Sequence, residues 1–202
     1  VSKIEAFYKD NFLYSAHLLS KVPLDETVEP NKLHTDEWIY TELEDAIRNK
    51  KHLLDFGSAF GNTGCVGYCM GYWVDMVDID APHSRFVEMM TENVREKRLS
   101  FEYTSYEQLI RDGLWHMYDV INVSQVMEHL YRPLTVLRKL WEAMLPGGIL
   151  LMDCFFDDYD DKAPYHLKRN NPFGDVEYWN RCVAAIGFKQ IRNRVWYKPE
   201  DS

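Results

Sequence analysis

The sequence predicts an α/β protein: a doubly wound, mostly parallel sheet with helices on both faces and an N-terminal helical extension. Three observations carry this. From Lys51 onward, short apolar runs alternate with segments of helical length, the pattern that builds a parallel sheet covered on both faces. The first run, His52–Phe56 (HLLDF), ends in a glycine-rich turn that leads into a helix. The 202 residues are 46% hydrophobic and 14% aromatic, which is enough for a sizeable core and too rich for disorder.

Taken in order, residues 1–22 carry Ile4, Phe7, Tyr8, Phe12 and Leu19 at roughly helical spacing. They form an amphipathic helix that is either a lid over a pocket or an apolar face packed on the sheet. Pro23 and Pro30 mark a loop, and Thr35 caps a helix running through Trp38, Ile39, Leu43, Ala46 and Ile47. Residues 1–50 are thus expected to be a helical cap or lid, and 51–202 the sheet domain, within one compact domain overall. After His52–Phe56 come a helix over Asn62–Met70, a strand over Tyr72–Asp78, a helix over Arg85–Arg95 and a strand over Leu99–Thr104. A short helix over Tyr106–Arg111 precedes a fourth strand, Tyr118–Ser124. Pro133 suits a first helical turn and opens a helix with Leu134, Leu137, Trp141 and Leu145 on one face. Pro146-Gly147-Gly148 is expected to stop it, before a fifth strand over Ile149–Phe155. A late helix, Val176–Ala185, stops at Gly187, and Phe188–Tyr197 forms a final strand or hairpin.

The charge balance excludes some partners. With 23 Lys+Arg against 32 Asp+Glu, the net charge is −9. An acidic chain without a basic patch repels phosphate backbones, so no nucleic-acid partner is expected. No apolar run approaches the ~20 residues of a membrane span, and there is no signal-peptide pattern. Cys65 and Cys69 lie on a predicted helix without the CxxC spacing or nearby His of a zinc site, so no metal is expected. The four cysteines show no pairing pattern, which suits a reducing compartment, the cytoplasm. Position 1 is Val, which fits a processed chain, an expression remnant or an excised domain. Composition leaves the oligomeric state open.

In open α/β sheets, ligands sit at the carboxyl ends of the strands. There the first strand ends in Asp55-Phe56-Gly57-Ser58-Ala59-Phe60-Gly61-Asn62-Thr63-Gly64. Glycines allow a tight turn and a close backbone approach. Asp55 beside the turn would repel a pyrophosphate and suits a cationic ligand. The second strand ends at Asp78. An acidic residue about 20 positions after the turn can accept hydrogen bonds from both ribose hydroxyls of an adenosine. Asp80 competes for that role, and Asp75 points to the other face if the strand alternates. Ser105-Tyr106-Glu107, after the third strand, can contact an adenine edge.

In order and spacing, DFGSAFG (Asp55–Gly61), MVDID with Asp78, YDVINVSQVMEHL and LPGGILLMD resemble class I S-adenosylmethionine-dependent methyltransferases. Within that family they resemble the small-molecule group, with an EH pair after strand four and PGG before strand five. The resemblance covers residues 51–188. It implies a Rossmann-like fold with S-adenosylmethionine as cofactor, S-adenosylhomocysteine as product and a small-molecule acceptor. By position, Asp55, Gly57, Ser58 and Gly61 would surround the methionine portion, and Asp78 would bind the ribose. Ile79 would flank the adenine, Ser105 and Tyr106 would hold it, and Asn122, Val123 and Ser124 would form the floor beneath the sulfonium. Three features depart from the family pattern. Ala59 replaces the usual middle glycine, Thr104-Ser105 replaces the acidic residue after strand three, and few residues follow Phe188. The last leaves either a very short hairpin turning at Asn193-Arg194 or a missing strand.

Methyl transfer from a sulfonium is an in-line displacement, so alignment supplies much of the acceleration. A general base is needed only where the nucleophile must lose a proton. The candidates are His129 with Glu128, after strand four, and His166, before the late helix. His129 reads equally as a helix-start residue bonded to nearby backbone, and Glu128 as a solvated or capping carboxylate. Asp153–Lys162 (DCFFDDYDDK) is a solvated acidic loop or a recognition element for a cationic acceptor. Its contiguous acids do not converge as a hard-metal site requires. The expected function is methyl transfer to O or N of a neutral or cationic small molecule. One alternative is a non-catalytic, methyltransferase-like binding domain of a larger protein or assembly. The other is an NAD(P)-dependent oxidoreductase, against which Asp55 and LPGG argue.

Overall fold

The computed structural model describes residues 37–46, 49, 51–59, 61–78, 85, 87, 98–103, 108, 111–114, 117–154, 156 and 168–200. The chain divides into two compact units, Val1–Tyr106 and Glu107–Ser202. The expected helix over residues 1–22, the residues Ile79, Asp80, Ser105, Tyr106 and His166, and the loop 157–162 lie outside the described residues.

In the first unit, α1 (Glu37–Ala46), β1 (His52–Phe56), α2 (Asn62–Met70), β2 (Trp73–Asp78) and β3 (Leu99–Tyr103) follow one another. The strands lie in the order β3-β2-β1, and both pairs are parallel. Leu53 and Leu54 of β1 and Met76 of β2 are fully buried. Each such side chain contributes about 1.5–3 kcal/mol relative to exposure. The α1 helix buries Ile39, Leu43 and Ala46, spaced i, i+4, i+7, and packs on α2. The wholly buried Tyr72 ties the end of α2 to α1 by donating its hydroxyl to the Leu43 carbonyl at 2.8 Å.

The glycines of α2 set its distance from the sheet. A Cβ at Gly67 would collide with the Leu53 side chain, and one at Gly64 would reach the Met76 side chain, with Cγ at 2.6 Å. Both glycines therefore serve helix–strand packing. Asp75 accepts a hydrogen bond from the Ser100 hydroxyl, its partner in the β2–β3 register.

In the second unit, β4 (Tyr118–Asn122), α3 (Pro133–Ala143), β5 (Met144–Leu151), α4 (Val176–Ile186), β6 (Lys189–Arg192) and β7 (Val195–Tyr197) follow in order. Two 3₁₀ segments, Met127–His129 and Lys168–Gly174, lie between them. The strand order is β4-β5-β7-β6, with β4 and β5 parallel and β7 antiparallel to both of its neighbours. The final hairpin is therefore present with both strands, turning at Asn193-Arg194. Arg194 takes the left-handed conformation there, with φ 65°.

Pro133 stands at the first turn of α3, whose buried face is Val136, Leu137, Leu140 and Ala143. Asp175 caps α4, accepting from the Tyr178 backbone N–H at 2.9 Å.

One boundary differs from expectation. The helix ends at Ala143, and Pro146-Gly147-Gly148 lies inside β5, where it does not act as a helix stop. Tyr118 pairs with Met144 and Val120 with Ile149, so β5 bulges between the two pairings and absorbs Leu145–Gly148. Lys198 holds this corner from the far end of the hairpin. Its ammonium donates to the carbonyls of Trp141 (3.0 Å) and Met144 (2.9 Å). Its backbone exchanges hydrogen bonds with Gly147 and Gly148.

Candidate active site

In the first unit, the parallel register ends β1 and β2 together, with Phe56 opposite Val77. The chain leaving β1 turns over the end of β2, and the Gly57 and Ser58 N–H groups both donate to the Val77 carbonyl, at 2.8 and 3.3 Å. Gly57, Ala59 and Gly61 all carry positive φ, at 71°, 48° and 73°. Alanine enters this region at a cost of roughly 1–2 kcal/mol, and Asp78 offsets it. Oδ2 of Asp78 accepts a 2.6 Å hydrogen bond from the Ala59 N–H. The terminal carboxylate of β2 thus fixes the turn that follows β1.

Asp55 is 2% exposed, and its Oδ2 accepts from the Gly64 N–H at 2.8 Å. It places a negative charge in the first turn of α2, where the helix dipole favours one. A donor that a helix start would offer to a phosphate is already engaged here by the protein's own carboxylate.

The five described cofactor candidates of this unit, Asp55, Gly57, Ser58, Gly61 and Asp78, thus gather around one turn. Ser58 adds a feature that the sequence does not reveal. Its hydroxyl is buried and has no hydrogen-bond partner among the described residues. A buried polar atom without a partner costs about 1–3 kcal/mol, which a polar ligand at the turn would recover. With a carboxylate at the β2 end and a glycine turn at close quarters, these residues fit an adenosyl ligand.

In the second unit, β4 ends in Asn122, and Val123 extends the ladder by donating to the Leu151 carbonyl at 2.9 Å. Asn122 and Val123 are buried, and the Ser124 hydroxyl donates to Asn122 Oδ1 at 2.9 Å. The chain then kinks at Gln125 (φ 56°), whose N–H donates to the Asp153 carbonyl at 2.6 Å. The Met127–His129 turn follows. Glu128 is 1% exposed, which corrects its reading as a solvated carboxylate. His129 is half-buried, and its backbone N–H donates to the Val126 carbonyl at 3.0 Å.

Asn170 stands in no motif that would single it out from the sequence. Its buried amide donates to the carbonyls of Glu128 (3.1 Å) and Leu130 (2.9 Å), on both sides of His129. Asp153, the first acid of the DCFFDDYDDK run, is also buried. It pairs with Arg194 at 3.2 Å instead of facing solvent. Desolvation, with the charges of Glu128 and Asp153 adding to it, pushes the Cys154 thiol well above its usual range.

No disulfide joins Cys65, Cys69, Cys154 or Cys182 among the described residues. No group of three or more His, Cys, Asp or Glu able to hold a metal ion occurs among the described residues. Nor is any helix among them long and apolar enough to cross a membrane.

No family model matches the chain, and no curated protein does. Solved structures do. A candidate sarcosine dimethylglycine methyltransferase from Galdieria sulphuraria is 18% identical, with a TM-score of 0.60 over 80% of this chain and 62% of its own. An S-adenosylmethionine-dependent methyltransferase from Archaeoglobus fulgidus is 17% identical, with a TM-score of 0.55 over 77% of this chain and 70% of its own. The [4+2]-cyclase SpnF is 13% identical, with a TM-score of 0.58 over 77% of this chain and 58% of its own. The chain thus spans less than two thirds of the length of two of these three proteins. These likenesses establish the fold as that of the class I S-adenosylmethionine-dependent methyltransferases, a doubly wound α/β architecture.

Proposed function

We propose that the chain is an S-adenosylmethionine-dependent methyltransferase that acts on O or N of a small-molecule acceptor by direct displacement. The observation that supports this most is the 2.6 Å bond between Asp78 and the glycine turn. It puts an oriented carboxylate at the end of β2, beside a turn of backbone N–H groups and the partnerless Ser58 hydroxyl. When bound, the cofactor would supply an electrophilic methyl group on a sulfonium.

In this reading Asp78 accepts hydrogen bonds from the ribose hydroxyls, its Oδ2 contact with Ala59 fixing its orientation. Gly57, Ser58 and Gly61 line the methionine end, with Asp55 behind them holding the start of α2. Ile79, Ser105 and Tyr106 frame the adenine, and Asn122–Ser124 form the floor. His129, with Glu128, or His166 removes a proton from the acceptor where one must leave. Residues 1–50 serve as cap or lid, the acceptor is neutral or cationic, and the setting is the cytoplasm.

The nicotinamide alternative is disfavoured by the Asp55–Gly64 contact, which sets a carboxylate where a pyrophosphate would bind. A binding domain without catalysis remains the rival, because a fold hosts activities that only its site determines.

Calorimetric titration of the chain with S-adenosylmethionine, S-adenosylhomocysteine and NAD separates these readings. Binding of both sulfur nucleosides and not NAD is expected, and binding of neither overturns the proposal. On turnover at saturating cofactor, His129→Ala and His166→Ala then identify the base. Loss in neither leaves alignment alone to carry the transfer.

A further inference from the structure

The second unit contains a cavity of about 360 Å³, within the range of about 300–1,000 Å³ typical of small-ligand sites. Four elements supply its wall: the chain after β5, the Lys168–Gly174 segment, α4 and the β6–β7 hairpin. One side is aromatic. Phe156 meets Trp179 edge-on at 4.8 Å and Phe173 at 5.4 Å, Phe173 meets Trp179 at 5.2 Å, and Trp196 completes the lining. Phe156, Trp179 and Trp196 are buried.

The polar side is the Asp153–Arg194 pair, with Nε to Oδ1 at 3.2 Å and the carboxylate side chain only 10% exposed. Arg194 reaches it from a left-handed backbone position, φ 65°, where an arginine is strained and a glycine would not be.

We infer that this cavity is a binding site for a neutral, flat aromatic molecule carrying a hydroxyl group. The rings of Phe156, Phe173 and Trp179 give the flat body offset and edge-on partners. The ion pair selects the polar group. A hydroxyl both donates and accepts, so it meets carboxylate and guanidinium alike. A ligand carboxylate is repelled by Asp153, and a ligand ammonium by Arg194. The site stands on its own lining and does not depend on methyl transfer.

The test is calorimetric titration of the full chain with three probes of one shape: 2-naphthol, 2-naphthoate and 2-naphthylmethylammonium. The expected result is binding of 2-naphthol at least tenfold tighter than either charged probe. Absence of 2-naphthol binding overturns the inference. So does equal affinity for all three, which would make the cavity a mere apolar hole.

Arg194→Gly suits the turn's φ and keeps the hairpin, so it separates selectivity from folding. In this variant 2-naphthol is expected to weaken about tenfold, and 2-naphthylmethylammonium to bind more tightly than in the wild type. Asp153→Asn is expected to favour 2-naphthoate instead. If the variants keep their thermal unfolding midpoints and leave the order of the probes unchanged, the ion pair does not select the ligand and the inference fails.

Discussion

The Ala59 N–H donates to Oδ2 of Asp78 across 2.6 Å, joining the turn after β1 to the last residue of β2. The bond resolves an apparent departure in the glycine turn. The usual middle glycine is absent, yet Ala59 holds the positive φ that a glycine would, because a carboxylate engages its amide.

Asp78→Ala removes this anchor and the proposed ribose acceptor together. S-adenosylmethionine affinity is expected to fall by more than tenfold, the scale of a lost charge-assisted hydrogen-bond pair. Titration calorimetry measures it, and unchanged affinity would shift the ribose role to Asp80.

Gly64→Ala places a methyl group against the wholly buried Met76 side chain. Overpacking of this kind costs about 1–3 kcal/mol, read from denaturant unfolding. The double variant with Met76→Ala should lose less stability than the two single losses added together, a coupling that independent sites would not show.

Asn170→Ala strips the donor from two carbonyls flanking His129. A stability loss of about 1–3 kcal/mol is expected. If His129 is the base, turnover should fall while S-adenosylmethionine affinity stays within about twofold. A parallel loss of cofactor affinity would show that Asn170 acts through general destabilisation.

The Cys65 thiol gives a pH signature. Burial first, then the nearby Cys69 and Asp55, push its pKa from 9.0 to about 12. Between these values the unfolded chain has lost the proton and the folded chain keeps it. The thiol's contribution to stability is therefore full below pH 9.0 and lost as pH rises toward about 12. Wild type should lose on the order of 1–2 kcal/mol more than Cys65→Ala between neutral pH and a point midway through that window. Equal losses in the two proteins would remove Cys65 as the cause.

Local signals in the sequence were enough where one segment decides its own fate. HLLDF forms β1 and Asn62–Met70 forms α2, because an apolar run, a glycine turn and a helix follow without interruption. Asp55 and Asp78 were legible as strand-end carboxylates because the α/β pattern fixes where strands end. The Pro146-Gly147-Gly148 segment misled because both residue types break helices. Its actual place is a strand bulge held from outside by Lys198, some 50 residues away. Asn170 left no local mark, and Arg194 none beyond its place in the Asn193-Arg194 turn. Their significance lies in what distant chain brings beside them, and Arg194 in particular becomes a cavity wall only when the β6–β7 hairpin turns against the end of β5.

Lys198 also has a consequence for the order of events during synthesis. The β5 strand is complete at Leu151, but its neighbour β7 and the ammonium that ties down the end of α3 come much later in the chain. Until they emerge from the ribosome, β5 carries an open apolar edge, the kind of surface on which nascent chains associate. Translation that pauses between α4 and β6 should therefore create the window in which chaperone demand is greatest.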